Sequence, residues 1–437
     1  MSKQTPTKSL YNSEIPSDWR LPDFGEVFLF LKSFSFSREQ LTNEKTDDEI
    51  RNIHYGDIHS TYENEILDLD IERRVPYLTD GLIKKENFQD EDFPALQDGD
   101  LIIADASEDY EGVCNCVELK NVRNNKVVSG LHTFAARAEN ENISLGFRTY
   151  VLKHQQVIKE LRRIATGTSV YGVSKTNLAK VKIALPPMPE QKAIAQVLTT
   201  WDEAITKTQT LINQKELSKK WLMQNLLTGK KRLKGFGGEW KEIKIHQLFK
   251  PENRYVAWDE DELYNLISIR RRNGGAFFRE PLFGYQIGVK KLKEVIENDF
   301  VISKRQVSHG AWAVIDSLFN HAKVSDEYNC LVIKDNVMLT PEFWKWYCQL
   351  PILTHYANID SDGVHIEKSI FDFNLFKRRD VIIPISIEEQ TAIAQVLQAA
   401  DKEINLLKAK AEKLREQKKG LMQMLLTGKQ RLNISKK

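Results

Sequence analysis

The segments EQKAIAQVL (residues 190–198) and EQTAIAQVL (residues 389–397) differ only at Lys192 and Thr391, and they stand 199 positions apart. At the same offset LMQNLLTGKKRL (222–233) matches LMQMLLTGKQRL (421–432) with two changes. The interval between the blocks is the same in both copies, so one element of fixed length has been duplicated. A repeat of this kind decides the architecture before any single motif does.

The duplicated element reads as a long helix. Ser386 and Glu389 spell an S-x-x-E capping box, which would satisfy the orphan N–H groups of a helix start. In the first copy Pro189 falls in the first turn, where a missing N–H is harmless. Gly229 and Gly428 supply the stop, followed by Lys and Arg that suit the negative end of the helix dipole. About 40 residues without interior proline lie between these signals, hence roughly 60 Å of helix.

Ile393, Val396, Ala400, Ile404, Leu407, Ala411 and Leu414, then Leu421 and Leu425, form a coiled-coil seam. The first copy keeps Ile194, Val197, Trp201, Ile205, Leu222 and Leu226 but weakens through Thr208 and Lys215. The helices are expected to pair with each other, the alternative being that each stripe packs on its own globular domain. In an antiparallel pair about a pseudo-two-fold axis, facing residue numbers have a constant sum. Trp201 with Gly420 and Trp221 with Ala400 both give 621, which would set each indole against a small partner.

Fainter repeats extend the duplication. Trp19 and Phe28 match Trp240 and Phe249 in spacing, and GDLIIA (99–104) matches NDFVIS (298–303) at offset 199. The rest of the two globular parts has diverged. The expected fold class is therefore α+β, with two globular α/β domains separated by a pair of long antiparallel helices. The boundaries are a polar lead-in at 1–18, a first domain at 19–186, a first helix at 187–233, a second domain at 234–385, and a second helix with tail at 386–437.

At 437 residues the chain exceeds one hydrophobic core. It has 28% charged and 41% hydrophobic residues, no apolar run long enough for a membrane helix, and no signal-peptide core near its start. Its four cysteines, Cys114 and Cys116 in a C-x-C with Cys330 and Cys348 apart, form neither a disulfide framework nor a zinc spacing. A reducing, cytoplasmic setting is expected. The net charge of +2 argues against a protein that holds DNA alone, since phosphate neutralisation drives such affinity, but permits local basic patches within an assembly.

No phosphate-binding G-x-x-x-x-G-K-[ST] loop, glycine-rich cofactor turn or N-P-P-[YF] segment is present. Glu118 and Lys120, with Asp105 upstream, form a nuclease-like triplet of a kind that arises freely in so charged a chain. His54 and His59 are ill-spaced as metal ligands. No metal site and no catalytic residue are expected.

Base readout needs Arg, Lys, Asn or Gln on exposed elements, with basic groups nearby for phosphates. The best stretch is IRRRNGGA (269–276), carrying Arg270, Arg271, Arg272 and Asn273 ahead of two glycines. Lys304, Arg305, Gln306, Ser308 and His309 form a second candidate surface. In the first domain the comparable set is Tyr55, Asp57, Arg123, Lys126, His132 and Arg137, while Lys84 and Lys85 read as surface charge.

The blocks PMPEQKAIAQVL (187–198) and LLTGKKRL (226–233), whose EQxAIAQVL and LLTGKxRL parts recur in the second copy, with IHYGDI (53–58) and GTSVYG (167–172), resemble the specificity subunit of type I restriction-modification enzymes. The resemblance spans essentially the whole chain. It implies two target-recognition domains, each reading one half of a bipartite site on double-stranded DNA. The paired helices would act as spacer and dock two modification (methyltransferase) subunits, with restriction subunits joining in restricting assemblies. S-adenosylmethionine, Mg and ATP would then be held by partner subunits and not by this chain. The second domain lacks an H-Y-G-D-I counterpart, so contacts do not transfer between the domains. The competing reading is a coiled-coil scaffold that binds protein and does not read DNA.

Overall fold

A computed structural model describes residues 7–82, 96–139, 141–362 and 370–432. Lys84 and Lys85 lie outside the described residues. The long helices are Met188–Leu226 and Ile387–Leu426, 39 and 40 residues. By internal contacts the chain forms two units, one of residues 1–208 with 410–437 and the other of 209–409. Each unit thus holds one globular domain, the start of one helix and the end of the other, and the division falls inside the helices, not at their ends.

In the first unit a five-stranded sheet runs in the order Phe28–Leu31, Thr133–Ala138, Leu101–Ala104, Cys116–Lys120, Ile66–Asp68. A four-stranded sheet, Lys126–Ser129, Ile50–Ile53, Tyr77–Leu78, Leu41–Thr42, adjoins it. The main core joins this domain to both helix segments, with Phe24, Phe28, Leu101 and Ile103 packed in one cluster with Ile194, Leu198, Met422 and Leu425.

The second unit has a four-stranded sheet ordered Phe249–Pro251, Tyr328–Ile333, Phe300–Ser303, Trp312–Val314. Its core likewise unites Phe249, Phe300 and Trp344 with Leu226, Ile393 and Leu397. Val197 and Val396 are partly buried against the core of their own unit. The helices therefore pair with each other and also pack on the domains.

The repeated strand is kept in register. Gly99 and Asn298 both have positive φ, at 86° and 72°, at the turn entering strands Leu101–Ala104 and Phe300–Ser303. The next residue, Asp100 or Asp299, accepts from the backbone N–H three residues earlier, at Gln97 (2.8 Å) or Ile296 (2.9 Å). Each buried carboxylate also takes a two-pronged arginine, Arg137 in one unit and Arg254 in the other. Arg137, expected at the DNA surface, is instead a structural clamp, because a buried carboxylate needs a compensating charge.

The helix ends follow the sequence reading with one correction. Ser386 Oγ accepts from Glu389 N at 3.2 Å, but the Glu389 side chain does not return to close a capping box. It binds Arg232, which enters from beyond the end of the first helix. Glu190 does the same with Arg431 and also accepts from Trp19 Nε1. Adjacent Gln390 bonds Pro384 O, Met338 O and Thr340 N, and Gln191 bonds Pro186 O, Asn142 O and Ser144 N. The E-Q pair at each helix start thus ties the domain to the helix end arriving from the other copy.

Gly229 and Gly428 have φ of 70° and 69°. A Cβ on Gly229 would sit 3.2 Å from the Trp240 ring, and one on Gly428 would be 2.4 Å from Pro16 and 3.3 Å from Trp19. Both the left-handed turn and the close approach of an indole demand glycine here.

The helix segments run antiparallel within each unit, but the indole packing is not formed. A side chain at Gly420 would meet open space, so Trp201 does not fill that position. Trp221 is 47% exposed with Lys231 Nζ 4.6 Å from its ring centroid, not packed into Ala400. Cross-helix pairs Asp202–Lys418 and Asp401–Lys219 have numbers adding to 620, while Lys215–Glu403 and Glu216–Lys408 give 618 and 624, around the expected 621. These charged pairs bridge helix segments whose buried apolar residues include Ile205, Ile212, Ile404 and Ala411. No helix among the described residues is long and apolar enough to cross a membrane.

Candidate nucleic-acid interface

In the second unit IRRRNGGA forms the tip of a hairpin between strands Ile267–Ile269 and Ala276–Phe278. Arg270 N bonds Gly275 O, and Gly274 N bonds Arg271 O to close the turn. Arg272 and Asn273 both take left-handed backbone, φ 57° and 55°, which is unfavourable for a long side chain. They are held there by two further bonds, Arg272 N to His309 O (2.6 Å) and Asn273 N to Gly310 O (3.0 Å). The hairpin and the 304–309 segment, read as separate candidates from sequence, are therefore brought together.

Their side chains have different roles. Arg270 lies over the Phe277 ring at 4.2 Å. Arg271 and Arg272 are exposed, and among the described residues neither is paired with a carboxylate. Lys304 Nζ is bound to Asp326 O at 2.6 Å, and Arg305 is bridged to Glu327 at 2.8 Å. Asn273, Gln306 and His309 are half-buried, and their Oδ1, Oε1 and Nε2 atoms are buried without hydrogen-bond partners among the described residues.

In the first unit the H-Y-G-D-I motif opens the short helix Tyr55–Ser60. His54 Nδ1 caps it by accepting from Gly56 N at 3.1 Å. Asp57 is buried and forms a two-pronged pair with Arg38 (3.1 and 2.9 Å), so it is not a base reader. It presents Arg38, whose side chain is 55% exposed. Sequence reading missed Arg38, because its partner lies 19 residues away and nothing local marks the pairing. Tyr55 and His132 rings meet edge to face at 5.3 Å, and His132 Nδ1 lies 3.3 Å from Asp105. His59 Nε2 bonds Ala106 O, beside which Tyr171–Gly172 pairs with Ala106–Ser107. The two motifs IHYGDI and GTSVYG thus converge on one surface that carries Arg38, Tyr55, His59, His132 and Tyr171.

Arg123 and Lys126 are exposed but stand apart. Lys126 pairs in register with Ile50, and Ser129 with Ile53, so Lys126 is at the far end of that ladder from Tyr55.

The nuclease-like triplet is dispersed. Glu118 spends both oxygens on Gly146 N and Thr149 N, and Lys120 pairs with Asp68. Burial pushes the Glu118 carboxyl up to about 7. No cluster of His, Cys, Asp and Glu suited to a metal ion occurs among the described residues. The four cysteines are free and buried.

Buried His154 caps the helix Gln155–Ile164, and burial holds its imidazole down at about 4. Its folded pKa lies below the ordinary 6.5, so its contribution to stability is complete above 6.5 and is lost as pH falls toward 4. His154→Asn keeps a capping oxygen and removes the titration. Relative to wild type it should gain about 2 kcal/mol between pH 7.5 and pH 5 in denaturant unfolding; parallel pH profiles would refute this.

Residues 16–216 match the family model described as Type I restriction modification DNA specificity domain. The chain is 22% identical over 468 residues to the type I restriction enzyme MjaVIII specificity subunit of Methanocaldococcus jannaschii, covering 98% of this chain and 97% of that protein. It is 25% identical over 331 residues to the putative type I restriction enzyme MjaX specificity subunit of the same organism, 70% of this chain and 73% of that one. In fold it is similar to the type I restriction-modification S subunit of M. genitalium, with a TM-score of 0.51, 14% identity and coverage of 97% and 99%.

Proposed function

We propose that the chain is a member of the type I restriction-modification specificity family, whose model matches residues 16–216, and that its two domains read the two halves of a bipartite DNA site. In this reading the paired helices set the unread gap and dock modification subunits, while S-adenosylmethionine, ATP and Mg bind partner subunits. The chain itself is a non-catalytic reader.

One observation carries the reading. The frame is built twice from equivalent residues, Glu190 and Glu389, Arg431 and Arg232, Asp100 and Asp299. The exposed cationic surfaces are built once each, Arg38 with Tyr55 and His132 in one unit and the arginine hairpin in the other. A shared frame suits two copies of one partner, and unshared surfaces suit two different half-sites.

The test is a map of methylated adenines in cells with and without this gene. A motif of two fixed halves at constant spacing, lost on deletion, is the expected result. An unchanged methylation map would favour the protein-binding scaffold.

A further inference from the structure

Among the ion pairs that cross between the helix segments, Lys215–Glu403 and Lys408–Glu216 occur once each, and two others were copied with the repeat. In the first unit Lys418 Nζ lies 2.6 Å from Asp202 Oδ1, and both side chains are largely buried. In the second unit Lys219 pairs with Asp401, half-buried. Asp202 and Asp401 stand 199 apart, as do Lys219 and Lys418, so one pair was made twice.

The apolar seam by itself tolerates sliding, because Ile205, Ile212, Ile404 and Ala411 would find apolar neighbours in several registers. The charges would not. Sliding one turn would place Asp202 opposite Leu414 or Met422, and Lys418 opposite Leu198 or Thr206. A carboxylate and an ammonium would each be left buried without a partner, and a polar pair of this kind is a well-attested means of fixing register in helix pairs.

Each lysine also reaches the domain of its own unit. Lys418 is shared with Glu65, the residue before edge strand Ile66–Asp68. Lys219 lies 4.8 Å from the ring centroid of Trp346, on helix Pro341–Tyr347. The same copied ammonium therefore holds two unrelated domains, one through a carboxylate and the other through an indole face.

We propose that Lys219 and Lys418 are positioning residues that fix the helix register and mount each domain on it, and thereby set the length of the unread gap. The proposal rests on the reading of two half-sites above.

The experiment maps methylated adenines in cells carrying the wild-type chain with its own modification partners, or Lys219→Met, Lys418→Met, Lys418→Arg, or the reversed pair Lys219→Asp with Asp401→Lys. The methionine variants should keep both half-site sequences but lose about tenfold in preference for the native gap over gaps one base pair longer or shorter. Lys418→Arg should recover the native gap, and the reversed pair should recover most of it, since it restores the pair across the helices but not the cation over the Trp346 ring. The reversed pair keeps the test decisive if burial makes Lys418→Met fail to fold. Lower total methylation at an unchanged gap in the methionine variants would overturn the proposal alone. A wild-type map without two spaced half-sites would overturn the half-site reading, and this proposal with it.

Discussion

Replacing Glu389 with alanine is expected to lower the stability of the second unit by about 3 kcal/mol, the usual result of breaking a buried ion pair from one side. Glu389 is fully buried, and its two oxygens take Nε and Nη2 of Arg232, the latter at 2.6 Å. Without the carboxylate, Arg232 would keep only the Trp240 ring, 5.6 Å from its guanidinium carbon. Arg232→Ala should cost a similar amount by stranding the carboxylate. The double variant should cost little more than either single one, because the second change removes the charge that the first left unpaired. Denaturant unfolding of the four proteins gives the coupling directly, and a coupling under about 0.5 kcal/mol would mean that the pair is not the clamp described. The contact also explains why the E-Q and T-G-K-x-R blocks resisted divergence together: each is half of one joint.

The repeat, the helix ends and the shared strand were legible in the sequence because duplication preserves what the frame needs. The glycine stops at Gly229 and Gly428 followed from local backbone rules and hold in the structure. The antiparallel register was legible to within about one turn. The error came from assuming that the indoles fill the seam, when its buried apolar residues include Ile205, Ile212, Ile404 and Ala411 and charged pairs bridge it. A signal for the charged pairs existed: the same Asp and the same Lys are kept at equivalent positions of both copies. The candidate nucleic-acid surface was less legible, because an arginine presented to solvent and one clamping a buried aspartate have the same sequence signature. Arg137 was read as the first kind and is the second, and its partner Asp100 is 37 residues away. Asp57 was read as a surface residue and is the buried support for Arg38.

The joint change Arg271→Ala with Arg272→Ala should weaken binding of the assembled complex to its DNA and flatten the salt dependence. Each phosphate contact removed takes away about 0.9 from the slope of log affinity against log salt, so two contacts would lower it by about 2. Wild-type affinity falls more steeply with salt, so the difference between the proteins is largest at low salt and narrows as salt rises. These two are singled out over their neighbours by their surroundings. Arg270 is stacked on Phe277 and Arg305 is bridged to Glu327, so Arg305→Ala serves as a control expected to change little. The left-handed backbone at Arg272 and Asn273 costs on the order of 1 kcal/mol at each residue. Bonds to His309 O and Gly310 O hold that conformation. A turn held against its own preference by a second segment delivers its side chains to a fixed place, and so little ordering is left to be done on binding. Binding unchanged from wild type throughout a salt series would remove the hairpin from the interface and leave the strained turn without a function.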